Sequence, residues 1–434
     1  MKPKHLLVYL LSGLAALLKS QSVFTIEEAI KTGLEKNYDV LVVKNQQSVA
    51  KLQNNAGNAG LSPTVSLNAN LNASSLDSHL EFNTGAIQDR SGAKSSNLGA
   101  SLNASWTVFD GLKMFAIKKR LDLNEQSSAI LLKQQMEEGV YAIITNYYNI
   151  VKLNQMQKAA NQNLALYEER KKIATYKEQV GSGSQVDVLL TQSLYNKAQS
   201  DLWQLQMQVI QAKANLNQLL GLPADNQFSV SDSMPVNYAP ALDDLRKSSL
   251  NANSSLLLSQ QNERILQQSV EEARAGNLPY LQVNGAYNFT RNSSQAGIIF
   301  LNRQNGLSGG LTAGWLLFNG NKNNRLIKER SILVMNQNLI SQQVQQKVDG
   351  QVYVSYQSFL LQKKILSLEY QNLRDATELL NVSLERYKAG KAILLETMEA
   401  QKQLEEAQSR YISALYALKV GEADLLKASG NLLK

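Results

Sequence analysis

The stretch that decides the fold is Leu98-Gly-Ala-Ser-Leu-Asn-Ala-Ser-Trp-Thr-Val-Phe-Asp-Gly111. Leu98, Ala100, Leu102, Ala104, Trp106 and Val108 alternate with Gly99, Ser101, Asn103, Ser105 and Thr107, the period-two pattern of a strand. One side is apolar and the other is polar without charge. A sandwich strand with a solvated face would usually carry Lys or Glu there. A run of about ten residues, apolar on one side and uncharged polar on the other, fits a transmembrane barrel strand. A run after Pro63 does the same: Val65, Leu67, Ala69, Leu71 and Ala73 alternate with Ser66, Asn68, Asn70, Asn72 and Ser74. Trp106 lies near a strand end, where membrane-interface aromatics are favoured. Ordinary core packing accounts for a lone tryptophan equally well, and it is the whole strand that favours the interface.

The stretch recurs. Trp106-Thr-Val-Phe-Asp-Gly111 returns as Trp315-Leu-Leu-Phe-Asn-Gly320, 209 residues later. Gly181, Asp187, Gln192 and Gly221 match Gly390, Glu396, Gln401 and Gly430 at the same offset. Upstream the offset is 216: Asn37 matches Asn253, Ala59 matches Ala275 and Pro63 matches Pro279. The seven-residue difference falls between Pro63 and Trp106 and predicts a longer connecting loop in the first repeat. Repeats of this length are duplicated modules rather than solenoid units. The boundaries are 23–221 for the first repeat, 222–241 for a linker and 242–434 for the second repeat.

Each repeat reads helix, strand, strand, long helix, helix. Thr25-Ile-Glu-Glu28 is a capping box that predicts a helix to about Ala59. In the second repeat Leu281, Val283, Tyr287 and Phe289 mark one strand, and Leu307, Leu311, Ala313 and Trp315 the other. Gly111 and Gly320 permit a sharp strand-to-helix junction. Proline-free helices are expected over 113–178 and 321–388, with reversals at Gly181 and Gly390. The return helices carry heptads: Leu404, Ala407, Tyr411, Ala414, Leu418, Gly421, Leu425 and Ala428, matched by Tyr195, Ala198, Leu202, Leu205, Val209, Ala212, Leu216 and Leu219. A looser stripe pairs Ile144, Tyr147 and Val151 with Tyr353, Tyr356 and Leu360.

Composition narrows the chemistry. The 434 residues contain no cysteine, which excludes thiol chemistry and iron–sulfur ligation, and two histidines, of which His5 falls in the signal segment and leaves His79 alone, against a multi-histidine metal site. No catalytic residue, cofactor or metal site is expected. Lys2, Lys4 and an apolar run Leu6–Leu18 read as a secretory signal over residues 1–22, cleaved near Val23. The net charge of +8 includes three lysines of that segment, and no basic block suggests nucleic acid.

Four strands cannot close a barrel, which takes about eight. An open sheet would leave edge backbone unpaired in hydrocarbon, so the chain must share a barrel with further copies. With the duplicated order and the motif Arg386-Tyr387-Lys-Ala-Gly390, Glu396, Ala400-Gln401, the chain resembles the TolC family of outer-membrane efflux and export ducts. The first repeat keeps Gly181, Asp187-Val188-Leu189 and Gln192, with Glu178 and Thr191 in place of the motif's tyrosine and alanine.

The resemblance implies a mixed α/β membrane protein. Long antiparallel helical coiled coils would form an α-barrel continuous with a shared β-barrel in a homotrimer. It would sit in outer-membrane lipid and span into the periplasm. The implied partners are a periplasmic adaptor and an inner-membrane transporter of the resistance-nodulation-division (RND) or ABC class. It further implies a gate at the helix tips, in which Asp187 and Tyr387 hydrogen-bond while Glu396 and Glu399 ring the entrance. Some members carry a basic residue where this chain has Ala392.

Plainer readings stand beside these. Asp187 and Glu396 fall near helix starts, where acids favour the helix dipole. Glu399 reads as a solvated charge, and Tyr387 as interhelical packing. A small-molecule efflux duct leads as the function. Type I protein export, a periplasmic adaptor and a structural coiled coil are the alternatives.

Overall fold

A computed structural model describes residues 23–236, 238–296 and 299–433. The signal segment and its cleavage near Val23 lie outside the described residues. In chain order the elements are β1 (Val23–Phe24), α1 (Ile26–Lys36), α2 (Tyr38–Gln53), β2 (Thr64–Glu81), β3 (Ile87–Phe109), α3 (Lys113–Gln179) and α4 (Gln185–Leu219). The second half contributes β4 (Ser229–Val230), α5 (Leu242–Ala252), α6 (Ser254–Ala275), β5 (Tyr280–Ser294), β6 (Leu301–Gly314), α7 (Lys322–Lys388) and α8 (Leu394–Ala428).

Two compact units result, and each sequence repeat contributes to both. One gathers the described residues up to Asn45, Ile130–Leu257, and those from Gln343 onward. The other comprises Gln46–Ala129 and Leu258–Gln342.

In the second unit four strands form one antiparallel sheet in the order β2-β3-β5-β6. Its register aligns the alternation across the strands. Leu67, Leu102, Tyr287 and Leu307 form one row, and Trp106, Val283 and Leu311 another. All seven side chains are exposed in the single chain. The opposite face is a polar lattice: Gln282 Nε2 donates to Ser105 Oγ at 2.7 Å, and Asn288 Nδ2 to Ser308 Oγ at 3.1 Å. From Leu98 to Val108 the apolar face runs about 34 Å along the strand, roughly 26 Å of membrane depth at a tilt near 40°.

The strands exceed the expected ten residues. They are 18, 23, 15 and 14 residues long. The extra segment of the first repeat is therefore paired strand rather than a longer loop. β2 and β3 continue to a turn at residues 82–86, while the β3–β5 ladder stops at Ser95↔Ser294. His79 lies in that extension, paired with Asp89.

The expected helix from Thr25 to Ala59 is broken. The capping box forms as read, with Thr25 Oγ1 accepting from Glu28 N at 3.2 Å and Glu28 Oε2 from Thr25 N at 3.0 Å. The helix stops at Asn37, whose backbone is extended. Asn37 Oδ1 accepts from Asp39 N and Val40 N, and its Nδ2 donates to Leu219 O at 2.8 Å. Asn253 repeats this between α5 and α6, donating to Ala428 O at 3.0 Å. A side chain that caps the next helix and ties down another helix end outweighs continuous propensity.

The first unit is helical, and its two main cores follow the two repeats. Ile143, Tyr147, Ile150, Val151, Val209, Ala212 and Leu216 pack with Phe228 and Val230. Val352, Phe359, Leu418 and Leu425 pack with Leu245. The return-helix heptad of α8 is thus a core seam apart from the half-buried Tyr411, whereas in α4 Leu202, Val209, Ala212 and Leu216 are buried and Tyr195, Ala198, Leu205 and Leu219 are half-buried. The looser stripe holds in α3 but is displaced in α7. Val352 and Phe359 are buried, whereas Tyr353 and Leu360 face outward. Leu326, Leu333, Ile340, Val354, Leu361, Leu368 and Val382 of α7 are also exposed; they share one seven-residue register, which is interrupted by the charged Lys347 and Asp375. That is a coiled-coil seam without a partner inside the chain. Among the described residues no helix is long and apolar enough to cross a membrane, so the membrane reading rests on the sheet.

Candidate functional site

At the helix tips of the first unit, Gly181 and Gly390 adopt φ of +73° and +70°. Lys177 O accepts from Ser182 N and Arg386 O from Lys391 N, closing both helices with the left-handed C-terminal turn that glycine permits. α4 then starts on Ser184, whose Oγ accepts from Val186 N at 3.1 Å. α8 starts on Ile393 with no side-chain cap.

Tyr387 is buried, and Lys177 Nζ stands 3.9 Å from its ring centroid. Burial, and then the nearby Asp187 carboxylate, raise the phenol pKa, while Arg170 opposes them. Asp187 is half-buried in the first turn of α4. The tips therefore bring Asp187 within electrostatic reach of Tyr387. Among the described residues no hydrogen bond joins the two.

Arg386 Nη1 lies 3.4 Å from Glu396 Oε1, so the motif's arginine and acid pair across the turn. Glu399, one turn on, is exposed and accepts from Gln403 Nε2 at 3.3 Å. Behind them α3 and α8 meet in a buried polar layer. Arg170 is 2% exposed, and its Nη2 donates to Thr397 O at 3.2 Å. Its Nε and Nη1 find no protein partner, nor does Oε1 of the fully buried Gln401. Sequence reasoning missed Lys177, Arg170 and the Arg386–Glu396 pair. Only the last had a visible signal, because Arg386 opens the motif.

In the sheet unit, Gly111 and Gly320 adopt φ of +73° and +66°, and the following Leu112 and Asn321 are left-handed too. Asp110 caps α3, both carboxylate oxygens accepting from Met114 N. Trp106 is in β3 and Trp315 just beyond β6; each is exposed, with its indole N–H tied down. Trp106 donates to Leu61 O at 2.9 Å and Trp315 to Asn277 O at 3.0 Å. Leu61 and Asn277 are themselves repeat-equivalent, so one anchor was built twice. Among the described residues no group of three or more His, Asp or Glu side chains could hold a metal ion.

The family profile described as "Outer membrane efflux protein" matches residues 29–222 and 245–431. No curated protein matches the chain. Among solved structures, CusC is similar at 17% identity with a TM-score of 0.77, covering 94% of this chain and 92% of its own. The outer membrane protein VceC of Vibrio cholerae is 14% identical with a TM-score of 0.76, covering 93% and 96%. The CmeC outer membrane channel of Campylobacter jejuni is 14% identical, also at 0.76, covering 94% and 86%. At these identities the likeness establishes the fold.

Proposed function

The chain belongs to the outer membrane efflux protein family, and on that premise we propose that three copies assemble into a passive exit duct for small molecules. One observation carries the assembly: among the described residues, a four-stranded sheet with an apolar face, which turns charged only at the Arg291–Arg303 row, has no second neighbour on β2 or on β6. Unpaired edges cost several kcal/mol per backbone group in hydrocarbon. Four strands from each of three copies would remove every edge. The outward heptad of α7 supports the same assembly, since such a seam is stable in water only when covered.

The helix tips form the gate of this reading. Tyr387 between Lys177 and Asp187 is the packed element, and the Arg386–Glu396 pair restrains the turn that carries it. Glu396 and Glu399, repeated by three copies, ring the entrance and favour cations through field focusing. The duct has no nucleotide-binding motif, so energy comes from an inner-membrane RND or ABC transporter through a periplasmic adaptor. The repeat boundaries at 221 and 242 are proposed as the limits of the duplicated module. An ABC exporter encoded beside this gene, rather than an RND pump, would favour protein export through the same duct.

The test is planar-bilayer conductance of the purified protein. A small cation-preferring current is expected, reduced by divalent ions. The Glu396→Gln/Glu399→Gln variant should lose that block, and an unchanged block would remove the entrance ring. Tyr387→Phe should raise the open probability; unchanged conductance would count against its hydroxyl as a gate element.

A further inference from the structure

The apolar face of the sheet ends on two arginines. Strand alternation puts Tyr287, Phe289 and Arg291 on one face of β5, and Leu311, Leu307 and Arg303 on the same face of β6. Arg291 stands directly opposite Arg303, and Leu98 and Leu71 continue their row across β3 and β2. Both arginines are exposed, and among the described residues neither guanidinium has a hydrogen bond or an ion pair. Trp106 marks the other end of the apolar stretch, eight residues from Leu98 along β3, roughly 27 Å away. The strand-to-helix junctions lie at the Trp106 end. On the duct reading, on which this inference rests, the arginine row therefore sits at the outer boundary of the membrane.

Like charges directly opposite on neighbouring strands repel, and their Cβ atoms are only about 5 Å apart. Arginine on a lipid-facing position is tolerated at the interface, where its long side chain reaches polar surroundings. An anion between the two guanidinium groups would turn the repulsion into attraction. The protein supplies none at this row. β5 and β6 contain no acidic residue. The acids of β2 and β3 are Asp77, Glu81 and Asp89, all beyond the row in the hairpin extension. Asp77 Oδ1 already accepts from Ser91 Oγ and Gly92 N, and Asp89 pairs with His79. We propose that Arg291 and Arg303 together bind the phosphate of a lipid headgroup, one lipid per chain, at the outer edge of the apolar face. Each guanidinium offers a planar fork of N–H donors that matches two phosphate oxygens. A phosphomonoester carries up to two negative charges, equal to the charge of the pair. The acyl chains lie along Phe289, Tyr287 and Leu307, on the same face. Lys94, exposed on that face just beyond the β3–β5 ladder, adds a third cation for a larger headgroup.

The experiment is native mass spectrometry of the purified full-length protein in detergent, titrated with lipid A. Dephosphorylated lipid A and inorganic phosphate are the comparisons, and the same spectra report the trimer. One lipid A per chain is expected, with the dephosphorylated form bound at least tenfold more weakly and equimolar inorganic phosphate unable to displace it. Arg291→Gln/Arg303→Gln should weaken lipid A about a hundredfold, two charge-assisted contacts at about tenfold each. Arg291→Lys/Arg303→Lys should recover part of that loss. Arg264→Gln/Arg274→Gln removes two charges from α6 and should change nothing, as should Asp77→Asn/Glu81→Gln. An intact trimer whose affinity is indifferent to the Arg291/Arg303 change, or to the phosphates of the lipid, overturns the proposal. Equal weakening by the α6 variant reduces it to general charge and overturns it too. Tighter binding in the Asp77/Glu81 variant would assign the arginines to a carboxylate of the protein, and displacement by inorganic phosphate would assign the site to the free ion; either overturns the lipid site. Spectra of the unaltered protein without a trimer would instead refute the duct reading, and the outer boundary with it.

Discussion

The outward seam of α7 gives the sharpest prediction. Leu361 is 57% and Leu368 is 61% exposed in the single chain. Each therefore leaves roughly 100 Å² of mainly apolar surface in water, or about 2.5 kcal/mol at ~25 cal/mol per Å² if a neighbour covers it. The pair contributes about 5 kcal/mol to each interface and about 15 kcal/mol to a closed ring of three. That is comparable to the whole cost of immobilising a partner. The Leu361→Glu/Leu368→Glu variant removes this term and places two unpaired carboxylates in the seam. Neither side chain packs in a core within the chain, so the protomer should keep its helix content. Association should weaken by three to four orders of magnitude or about that. Native mass spectrometry or analytical ultracentrifugation in detergent, alongside circular dichroism, reads both quantities. A variant that stays trimeric and dissociates at the same temperature as the parent would refute the seam as a subunit contact. Loss of helicity together with loss of trimer would show instead that the seam holds the protomer itself.

Two further outcomes follow from the repeat and from the buried carboxylate. A Cβ at Gly111 would meet Ala275 O at 2.5 Å and Leu278 Cβ at 2.8 Å, whereas one at Gly320 meets nothing within 4 Å. Gly320→Ala should cost only about 1 kcal/mol for its left-handed backbone, and Gly111→Ala several times that, read as denaturation midpoints. Glu405 has its folded-state pKa raised above 4.5, chiefly by burial. The folded chain thus binds its proton more tightly than the unfolded chain does. The Glu405 contribution is fully present below pH 4.5 and is lost as pH rises through the raised value. Glu405→Gln should therefore raise Tm most near pH 7 to 8, with the gain shrinking as pH falls toward 4.5. A gain that grows on acidification would contradict the direction of the shift.

Much of the fold was legible because it rests on local periodicity. The alternation at Leu98–Val108 specifies a two-faced strand wherever it is placed. The offsets 209 and 216 foretold equivalences that the structure makes chemical. Trp106 and Trp315 bond to equivalent carbonyls, and Asn37 and Asn253 bond to equivalent helix ends. The length of the first hairpin was not legible. Leu76, Ser78 and Leu80 follow the weaker polar pattern of an extension paired only within itself. The displaced α7 stripe was hidden for a different reason. Tyr353 and Val352 are adjacent and both apolar, and which of them turns inward depends on where α8 and α5 lie.

The tips show the same division. The sequence named Gly181, Gly390, Asp187, Tyr387, Glu396 and Glu399, because turns and helix starts demand particular residue types within a few positions. It did not show Lys177 above Tyr387, Arg170 on Thr397 O, or the orphaned oxygen of Asn163. Those contacts join residues more than 200 positions apart, or depend on what remains unpaired after three helices pack. By itself the sequence determined the order of strands and long helices, their duplication, the apolar alternation of β2 and β3, and the family. The tertiary structure decided which polar groups are buried and unsatisfied. Satisfaction depends on every neighbour at once, whereas periodicity depends only on the chain.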